Sequence, residues 1–159
     1  MKILIITPAC NEEEHLEQLI ESMIKQSVLP EQWIIVDDGS IDNTSDIIKK
    51  FSVKYSWIKY LRKEKKGIRS PGKSVVETFY HGYNSKDITD YNIIMKLDAD
   101  LVLPSDYLEC IMVHFINNPK TGICGGVCVL KNESQYVIEG LTNFDHVRGA
   151  LKAYRKECF

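Results

Sequence analysis

The sequence predicts an α/β fold with a mostly parallel central sheet. Short apolar runs of strand length alternate along the chain with segments in which apolar residues recur at helical spacing. The run formed by Ile93, Ile94, Met95 and Leu97 is apolar at almost every position, which is typical of a strand covered on both faces. Because a helix between two strands returns the chain to the same end of the sheet, this alternation favours parallel pairing.

Five strands are predicted from such apolar runs. They lie at residues 3–7, 33–36, 57–61, 93–97 and 122–130. Pro8 is expected to end the first strand, because proline has no N–H with which to continue a ladder. The third run alternates in character and is therefore expected near a sheet edge. Glycines interrupt the fifth run.

Helices are predicted between the strands. Residues 12–26 carry apolar side chains at i, i+3, i+4, i+7 and i+8, with Asn11 placed to cap the helix and Glu12 in its first turn. Ser70 and Pro71 have the order of a cap followed by the first residue of another helix. Further helices are expected near residues 47–51, opened by one of residues 42–44, from about residue 105 to 117, and near residues 147–158.

The totals indicate one ordinary globular domain. The chain has 159 residues, of which 44% are hydrophobic and 26% charged, and its net charge is −2. Basic and acidic residues are mixed, so the charge pattern predicts no nucleic-acid partner. One local basic cluster, of the kind usually found in a solvated loop, contains Lys63, Lys65, Lys66 and Arg69.

The cysteines and the length of the apolar segments favour a cytoplasmic location. The chain has five cysteines and no C-x-x-C pair, which predicts reduced, buried thiols rather than disulfides or a zinc site. No apolar stretch approaches the roughly 20 residues of a membrane-spanning helix. Peripheral association with the inner face of the membrane stays open as an alternative.

Unusual chemistry follows three of the predicted strands. The segments are Pro8-Ala9-Cys10-Asn11-Glu12, Asp37-Asp38-Gly39-Ser40 and Asp98-Ala99-Asp100. The carboxyl ends of parallel strands lie along one edge of a sheet, and ligands bind at that edge in folds of this class. The sequence therefore predicts that the three segments converge on one ligand site.

The D-x-D segment has two interpretations. Side chains at i and i+2 of an extended chain point the same way, so Asp98 and Asp100 can converge on one divalent cation, for which carboxylate oxygens are suitable ligands. Alternatively, the segment is a solvated turn between a strand and a helix, in which Asp100 or Ser105 caps the helix.

The other segments also have a structural alternative. Asp38 can accept hydrogen bonds from a nucleobase or from ribose hydroxyls, but Asp-Asp-Gly-Ser is also an ordinary turn sequence in which Gly39 supplies a positive φ. Asn11 and Glu12 are well suited to the start of a helix. Arg69 can bind a phosphate through charge-assisted hydrogen bonds or remain solvated.

Three stretches of the chain together resemble the nucleotide-binding half of a family 2 glycosyltransferase. They are TPACNEEEHLEQLIESM, IIVDDGSIDNT and IMKLDADLVLP, in this order and spacing. The family pattern is Pro-x-x-Asn-Glu, then Asp-Asp-Gly-Ser with a later Asp and Thr, then a D-x-D. Cys10 stands where the family usually has Tyr, and Tyr80 or a neighbour replaces a usual Asn. The final GALKAYRKECF is similar to the family's helix after the sheet.

This resemblance implies the GT-A fold, a Rossmann-like three-layer α/β/α sandwich, and a role for each matching residue. The implied nucleotide-binding residues, with Asp38 on the base, are Pro8, Ala9, Asn11, Glu12, Asp38, Arg69 and Asp98. The implied ligands of Mg²⁺ or Mn²⁺ are Asp100 and Asp98.

The resemblance also implies a reaction, namely inverting transfer of a sugar from a UDP- or GDP-sugar to a saccharide or lipid-linked acceptor, in synthesis of a cell-envelope polysaccharide. Such a transfer needs a general base near the acceptor hydroxyl. In the family this base lies in an acidic motif that nothing here matches, so the base is expected beyond Phe159. Residues 1–159 are accordingly expected to form a single domain that is truncated before its acceptor-binding part.

The sequence leaves two alternatives to a glycosyltransferase. One is a nucleotide-binding module without turnover. The other is a sugar-phosphate nucleotidyltransferase, although residues 8–12 contain no glycine for the phosphate-binding loop that such an enzyme usually has after its first strand.

Overall fold

The computed structural model describes residues 1–64, 72–132, 135–139 and 146–159. The described helices are α1 (Leu16–Ile24), α2 (Thr44–Lys54), α3 (Lys73–Asn84) and α4 (Tyr107–Asn117), with a short 3₁₀ helix at Lys156–Cys158. The described strands are β1 (Ile3–Ala9), β2 (Gln32–Asp37), β3 (Ile58–Arg62), β4 (Ile93–Leu97), β5 (Ile123–Cys124), β6 (Val129–Asn132), β7 (Gln135–Ile138) and β8 (Leu151–Arg155).

A six-stranded sheet with the order β3-β2-β1-β4-β8-β5 forms the centre of the molecule. The four strands β3, β2, β1 and β4 are parallel, β8 runs antiparallel to β4, and β5 runs antiparallel to β8. A separate hairpin pairs β6 with β7. The predicted mostly parallel sheet is confirmed, and β3 lies at its edge as its alternating sequence indicated.

Helices cover both faces of the sheet and make it the middle of three layers. Alternate strand residues point to opposite faces, so a run that is apolar at successive positions contributes to both cores. The core shared with α1, α2 and α4 includes Ile3, Ile5, Trp33, Met95, Leu16, Ile48 and Phe115. The core shared with α3 includes Leu4, Ile6, Ile34, Val36, Ile94 and Phe79.

The first strand continues through Pro8 to Ala9, so the expectation that Pro8 ends it is wrong. The carbonyl of Ala9 accepts a hydrogen bond from the backbone N–H of Asp38 on the β2 side (2.9 Å). Because backbone groups alternate in direction along a strand, the nitrogen of Pro8 faces the β4 side. The pairing of β1 with β4 stops at Ile6, so no ladder bond is lost there.

The first helix begins at Leu16, and the prediction that Asn11 caps it is wrong. His15 is the residue before the helix, and the carbonyl of Glu12 closes a turn by accepting hydrogen bonds from the N–H groups of His15 (3.1 Å) and Leu16 (2.9 Å). Asn11 instead has a φ of 57°, a left-handed conformation that asparagine tolerates better than most residues.

Two predictions for the last third of the chain are also wrong. Residues 147–158 are predicted to be helical, but β8 forms there instead. Leu151 and Ala153 are buried with the period of two that a strand has, and β8 pairs with the edge of β4 that β1 leaves open. The single strand expected at 122–130 is divided into β5 and β6. A side chain at Gly125 would lie 2.3 Å from the carbonyl oxygen of Leu151, so this residue lets the backbone pass close to β8.

Helix α2 begins at Thr44, within the range expected from the sequence, and α4 ends at Asn117 as expected. The predicted cap formed by Ser70 and Pro71 lies outside the described residues. None of the helices in the described ranges has the length and apolar character needed to span a bilayer. All five cysteines are free, but only Cys10 is buried, so the prediction of buried thiols fails for Cys110 and Cys158, which are exposed.

Helix α3 approaches the sheet closely at Gly82. A Cβ atom at this position would lie 2.8 Å from the Cγ2 methyl carbons of both Ile6 and Val36, which are buried in the sheet. Neither side chain has room to move, since both belong to the core beneath α3. The glycine therefore sets the distance between helix and sheet on the face where residues of α3 reach the end of the strands.

We expect Gly82→Ala to destabilise the protein by about 1–3 kcal/mol, because the added methyl overpacks this core. Gly149→Ala is the matched control, since a Cβ atom there meets no other atom within 4 Å. Urea unfolding followed by circular dichroism gives the two free energies. An alanine at position 82 that leaves the midpoint unchanged would contradict the close approach.

Candidate functional site

A pocket opens at the carboxyl ends of β1, β2 and β4, beside the first turns of α3. The strand order changes direction between β1 and β4, which is the place where open α/β sheets bind their ligands. The residues that line it are Pro8, Ala9, Cys10, Glu12, Asp38, Val75, Thr78, Asp98, Ala99 and Asp100. The predicted convergence of three strand ends is therefore what the structure shows.

The pocket contains most, but not all, of the residues expected from the sequence. Six of them line it, namely Pro8, Ala9, Glu12, Asp38, Asp98 and Asp100. Asn11 is not among the lining residues, and Arg69 lies outside the described part of the chain. Val75 and Thr78 of α3 line the pocket although no motif marked them, because only the packing of α3 on the sheet brings them there.

Asn11 connects two loops instead of facing the pocket. Its backbone N–H donates to Oγ of Ser40 (3.0 Å), and its side-chain oxygen accepts a hydrogen bond from the N–H of Ile41 (3.0 Å). The N–H of Glu12 donates to Oγ1 of Thr44 (2.8 Å). These bonds join the loop after β1 to the loop after β2, so residues of two separate motifs hold each other in place.

Further bonds complete this connection at the surface. The N–H of Glu13 donates to Oδ2 of Asp42 (3.2 Å), and the carboxylate of Glu13 accepts hydrogen bonds from the backbone N–H (3.0 Å) and the side-chain amide (2.7 Å) of Asn43. Oδ1 of Asp42 accepts from the N–H of Thr44 (3.0 Å). Ser40, Asp42 and Thr44 of the Asp-Asp-Gly-Ser-x-Asp-x-Thr stretch therefore have a structural role. Gly39 has the predicted positive φ, of 70°.

Asp37, the first aspartate of this stretch, is completely buried at the end of β2. One of its oxygens accepts a hydrogen bond from the N–H of Ser40 (2.8 Å), and the other accepts from the hydroxyl of Ser45 and from the guanidinium of Arg62 (2.8 Å). Burial by itself raises the pKa of Asp37, but the hydrogen bonds from Ser45 and Ser40 and the charge of Arg62 outweigh it, so the pKa lies below the ordinary 3.8.

Asp38 points into the pocket and is paired with a lysine. Nζ of Lys63 donates to Oδ1 of Asp38 (2.9 Å) and to Oγ1 of Thr78 (3.0 Å). Lys63 was expected to be one of several solvated cations, but its side chain is only 20% exposed. Sequence reasoning missed this residue, because a lysine just after a strand carries no signal of its partner.

Asp98 and Asp100 differ in their electrostatic surroundings. Nζ of Lys96 pairs with Oδ1 of Asp98 and also donates to the carbonyl of Gly149 (2.9 Å). Asp100 is exposed and forms no ion pair with any residue in the described ranges. Helix α4 begins at Tyr107 after Asp106, so the alternative in which Asp100 or Ser105 caps that helix is wrong.

The segment that follows Asp100 is held by Ser22 of helix α1 and by Gln26, which lies just after that helix. The side-chain amide of Gln26 donates to the carbonyl of Pro104 (2.5 Å), while its oxygen accepts a hydrogen bond from the N–H of Leu108 (3.0 Å). Oγ of Ser22 accepts from the N–H of Leu103 (3.1 Å). Both polar side chains are buried, so these contacts keep the loop between β4 and α4 in one position below the pocket.

The donor set at the end of β4 fits a hard divalent cation that shares its coordination with a ligand. Asp98 and Asp100 offer carboxylate oxygens, and Mg²⁺ and Mn²⁺ prefer oxygen donors. No group of three or more His, Cys, Asp or Glu that could hold a metal ion by itself occurs among the residues that the structure describes. Such a cation would therefore need further oxygens from a bound phosphate group or from water.

The chain belongs to the glycosyl transferase family 2, whose model matches residues 4–143. Glycosyltransferase GlyG of Streptococcus pneumoniae is 29% identical over 117 residues, which are 66% of this chain and 39% of GlyG. The structural neighbours are GT-A glycosyltransferases, so the GT-A fold expected from the sequence is confirmed.

Two solved structures illustrate this fold. Residues 1–349 of Staphylococcus aureus TarS, crystallised with UDP-GlcNAc, superimpose with a TM-score of 0.72 and 19% identity over 98% of this chain and 45% of that chain. The mannosyltransferase PcManGT of Pyrobaculum calidifontis, in complex with GDP-Man and Mn²⁺, gives a TM-score of 0.64 and 17% identity over 98% and 45% of the two chains. The chain thus spans less than half the length of these relatives.

The structure also predicts how stability depends on pH. Because the pKa of Asp37 is lowered by folding, its contribution to stability is complete above the unfolded pKa near 4 and is lost as the pH falls through the lower folded pKa. Asp37→Asn should lower the free energy of unfolding at pH 7 by about 1–3 kcal/mol and flatten its decline below pH 4.

Urea unfolding at pH 7 and at pH 3.5 tests this expectation. Asp46→Asn is the control, since the Asp46 side chain is 80% exposed in a surface ion pair, and it should change the free energy by less than about 1 kcal/mol. Equal effects of the two substitutions would contradict the role of Asp37.

Proposed function

We propose that the pocket binds a nucleoside diphosphate sugar, with UDP or GDP as its nucleotide, and that the protein transfers the sugar to an acceptor hydroxyl. The observation that carries the proposal is the meeting of Asp38, Asp98 and Asp100 at the switch point of a family 2 glycosyltransferase fold. TarS and PcManGT, which share this fold, were crystallised with UDP-GlcNAc and with GDP-Man. The family assignment favours a glycosyltransferase over the nucleotidyltransferase alternative.

We assign the base and the ribose to the part of the pocket between β1 and β2. Pro8 and Ala9 offer backbone there, Glu12 offers a carboxylate at the rim, and Asp38 offers an acceptor oxygen from the neighbouring strand. The ionised carboxylate only accepts hydrogen bonds, so it suits N–H groups of a base or ribose hydroxyls. The contacts of Asn11 support an indirect role, in which it fixes the loop that carries Glu12.

We assign the diphosphate to the side of the pocket formed by the end of β4. Asp100 would ligate Mg²⁺ or Mn²⁺, and Asp98, already paired with Lys96, would contact the ribose or a water on the cation. When bound, such a cation stabilises the charge that develops on the leaving diphosphate. Arg69 stays a prediction as a further phosphate ligand. Inversion and a cell-envelope acceptor rest on the family resemblance.

Nucleotide titration tests the donor assignment. We expect UDP or GDP to bind in isothermal titration calorimetry. Mn²⁺ should lower the Kd of the nucleotide on the order of tenfold or more, because two carboxylates leave coordination positions of the cation that phosphate oxygens of the nucleotide would fill. ADP and CDP serve as control nucleotides. If neither UDP nor GDP binds in the presence of Mn²⁺, the donor-site proposal fails.

Substitution of Asp100 tests the metal assignment separately. Asp100→Asn should raise the Kd of the nucleotide in Mn²⁺ to its value without metal and leave the melting temperature unchanged, because Asp100 is exposed and no ion pair within the described ranges is lost. Asp90→Asn, an equal change of charge on the exposed segment before β4, is the control. Retention of the full Mn²⁺ effect in Asp100→Asn would assign the cation to other residues.

A further inference from the structure

We infer that Lys63 is a positioning residue for the donor nucleotide, acting through Asp38 rather than by contact with the ligand. The inference rests on the proposed function, because it concerns the same pocket. Lys63 follows β3 directly, and its backbone N–H donates to the carbonyl of Asp37 (2.9 Å), which fixes the start of its side chain. From there Nζ reaches both Asp38 and Thr78.

The pair of Lys63 with Asp38 is more buried than the surface ion pairs of this protein. The two side chains are 20% and 10% exposed, whereas in the pairs Lys2–Glu31, Lys25–Glu21 and Lys50–Glu17 every side chain is at least 47% exposed. Removing one partner of a buried pair leaves an uncompensated charge, while an exposed pair contributes little. The geometry at Lys63 should therefore matter.

Lys63 binds one oxygen of the Asp38 carboxylate and leaves the other for the ligand. Nζ occupies Oδ1, and the residues that the structure describes donate no hydrogen bond to Oδ2. Lys63 itself is not a lining residue, whereas Asp38 and Thr78 both are. The ammonium group therefore binds one oxygen of Asp38 without lining the pocket itself, and through Thr78 it links the end of β2 to α3. The other oxygen of Asp38 remains available to a donor group of the nucleotide.

Lys63 also balances charge at the rim. The carboxylates of Glu12, Asp38, Asp98 and Asp100 line a pocket proposed to bind an anionic diphosphate, and like charges at short range repel. Lys63 compensates Asp38, and Lys96 compensates Asp98. Without Lys63, the ligand would meet a carboxylate that is both misplaced and uncompensated.

A double-mutant cycle measured by calorimetry with UDP and GDP in Mn²⁺ tests the inference. Lys63→Met should raise the Kd by at least about tenfold, and Lys63→Arg, which restores the cation, should recover most of the affinity. In the Asp38→Asn background, Lys63→Met should add no further loss, because a residue that acts only through Asp38 has nothing left to position. Lys59→Met, at an exposed lysine of β3, is the control for loss of charge.

Three outcomes would overturn the inference, and one of them also overturns the proposed function. Nucleotide binding by Lys63→Met at the parental affinity removes the positioning role. Equal losses in the parental and the Asp38→Asn backgrounds mean that Lys63 contacts the ligand directly. A parent protein that binds neither nucleotide refutes the donor site itself, and the inference falls with it.

A second substitution keeps the inference testable if Lys63→Met does not fold. Thr78→Val removes the other partner of Nζ and leaves the ion pair in place. We expect a Kd increase of about two- to fivefold, smaller than that of Lys63→Met because the ion pair that holds Asp38 is kept, and this increase should disappear in the Asp38→Asn background. An increase that persists in that background would show instead that the Thr78 hydroxyl contacts the nucleotide.

Discussion

The buried carboxylate of Asp37 is the interaction on which the architecture of the site depends. A buried charge without hydrogen-bond donors is strongly unfavourable, so the groups that satisfy it, from Ser40, Ser45 and Arg62, must stay in place. They belong to the loop after β2, to α2 and to β3. Ser40 in turn accepts a hydrogen bond from Asn11. One buried charge therefore fixes the two loops that form one side of the pocket.

Three aspartates line the same rim beside Glu12, and their electrostatic surroundings differ. Asp38 is paired with Lys63 and Asp98 with Lys96, while Asp100 has no ion-pair partner in the described ranges. Two of these aspartates are thus compensated by the protein, and the third is the one that we propose as a ligand of a cation. This distribution reduces the negative charge that the proposed anionic ligand would meet, and it distinguishes the two aspartates of the D-x-D.

Much of the fold follows from local patterns, and the errors have a common cause. Apolar runs of strand length predicted β1 to β4 because burial on both faces leaves a local signature. The prediction of a helix over residues 147–158 failed because a short segment with mixed apolar spacing suits either structure, and the free side of β4 decided between them. Asn11 was misassigned as a cap for a similar reason, since its partners Ser40 and Ile41 lie about 30 residues away.

The sequence by itself determined that Asp38, Asp98 and Asp100 would meet, because parallel strands bring their carboxyl ends to one edge and these aspartates follow two recognisable strands. Only the tertiary structure decided which cation stands beside which carboxylate. Lys63 and Asp38 are 25 residues apart and lie at the ends of neighbouring strands. Such a contact depends on strand register and on the position of α3, and neither leaves a periodic signal in the chain.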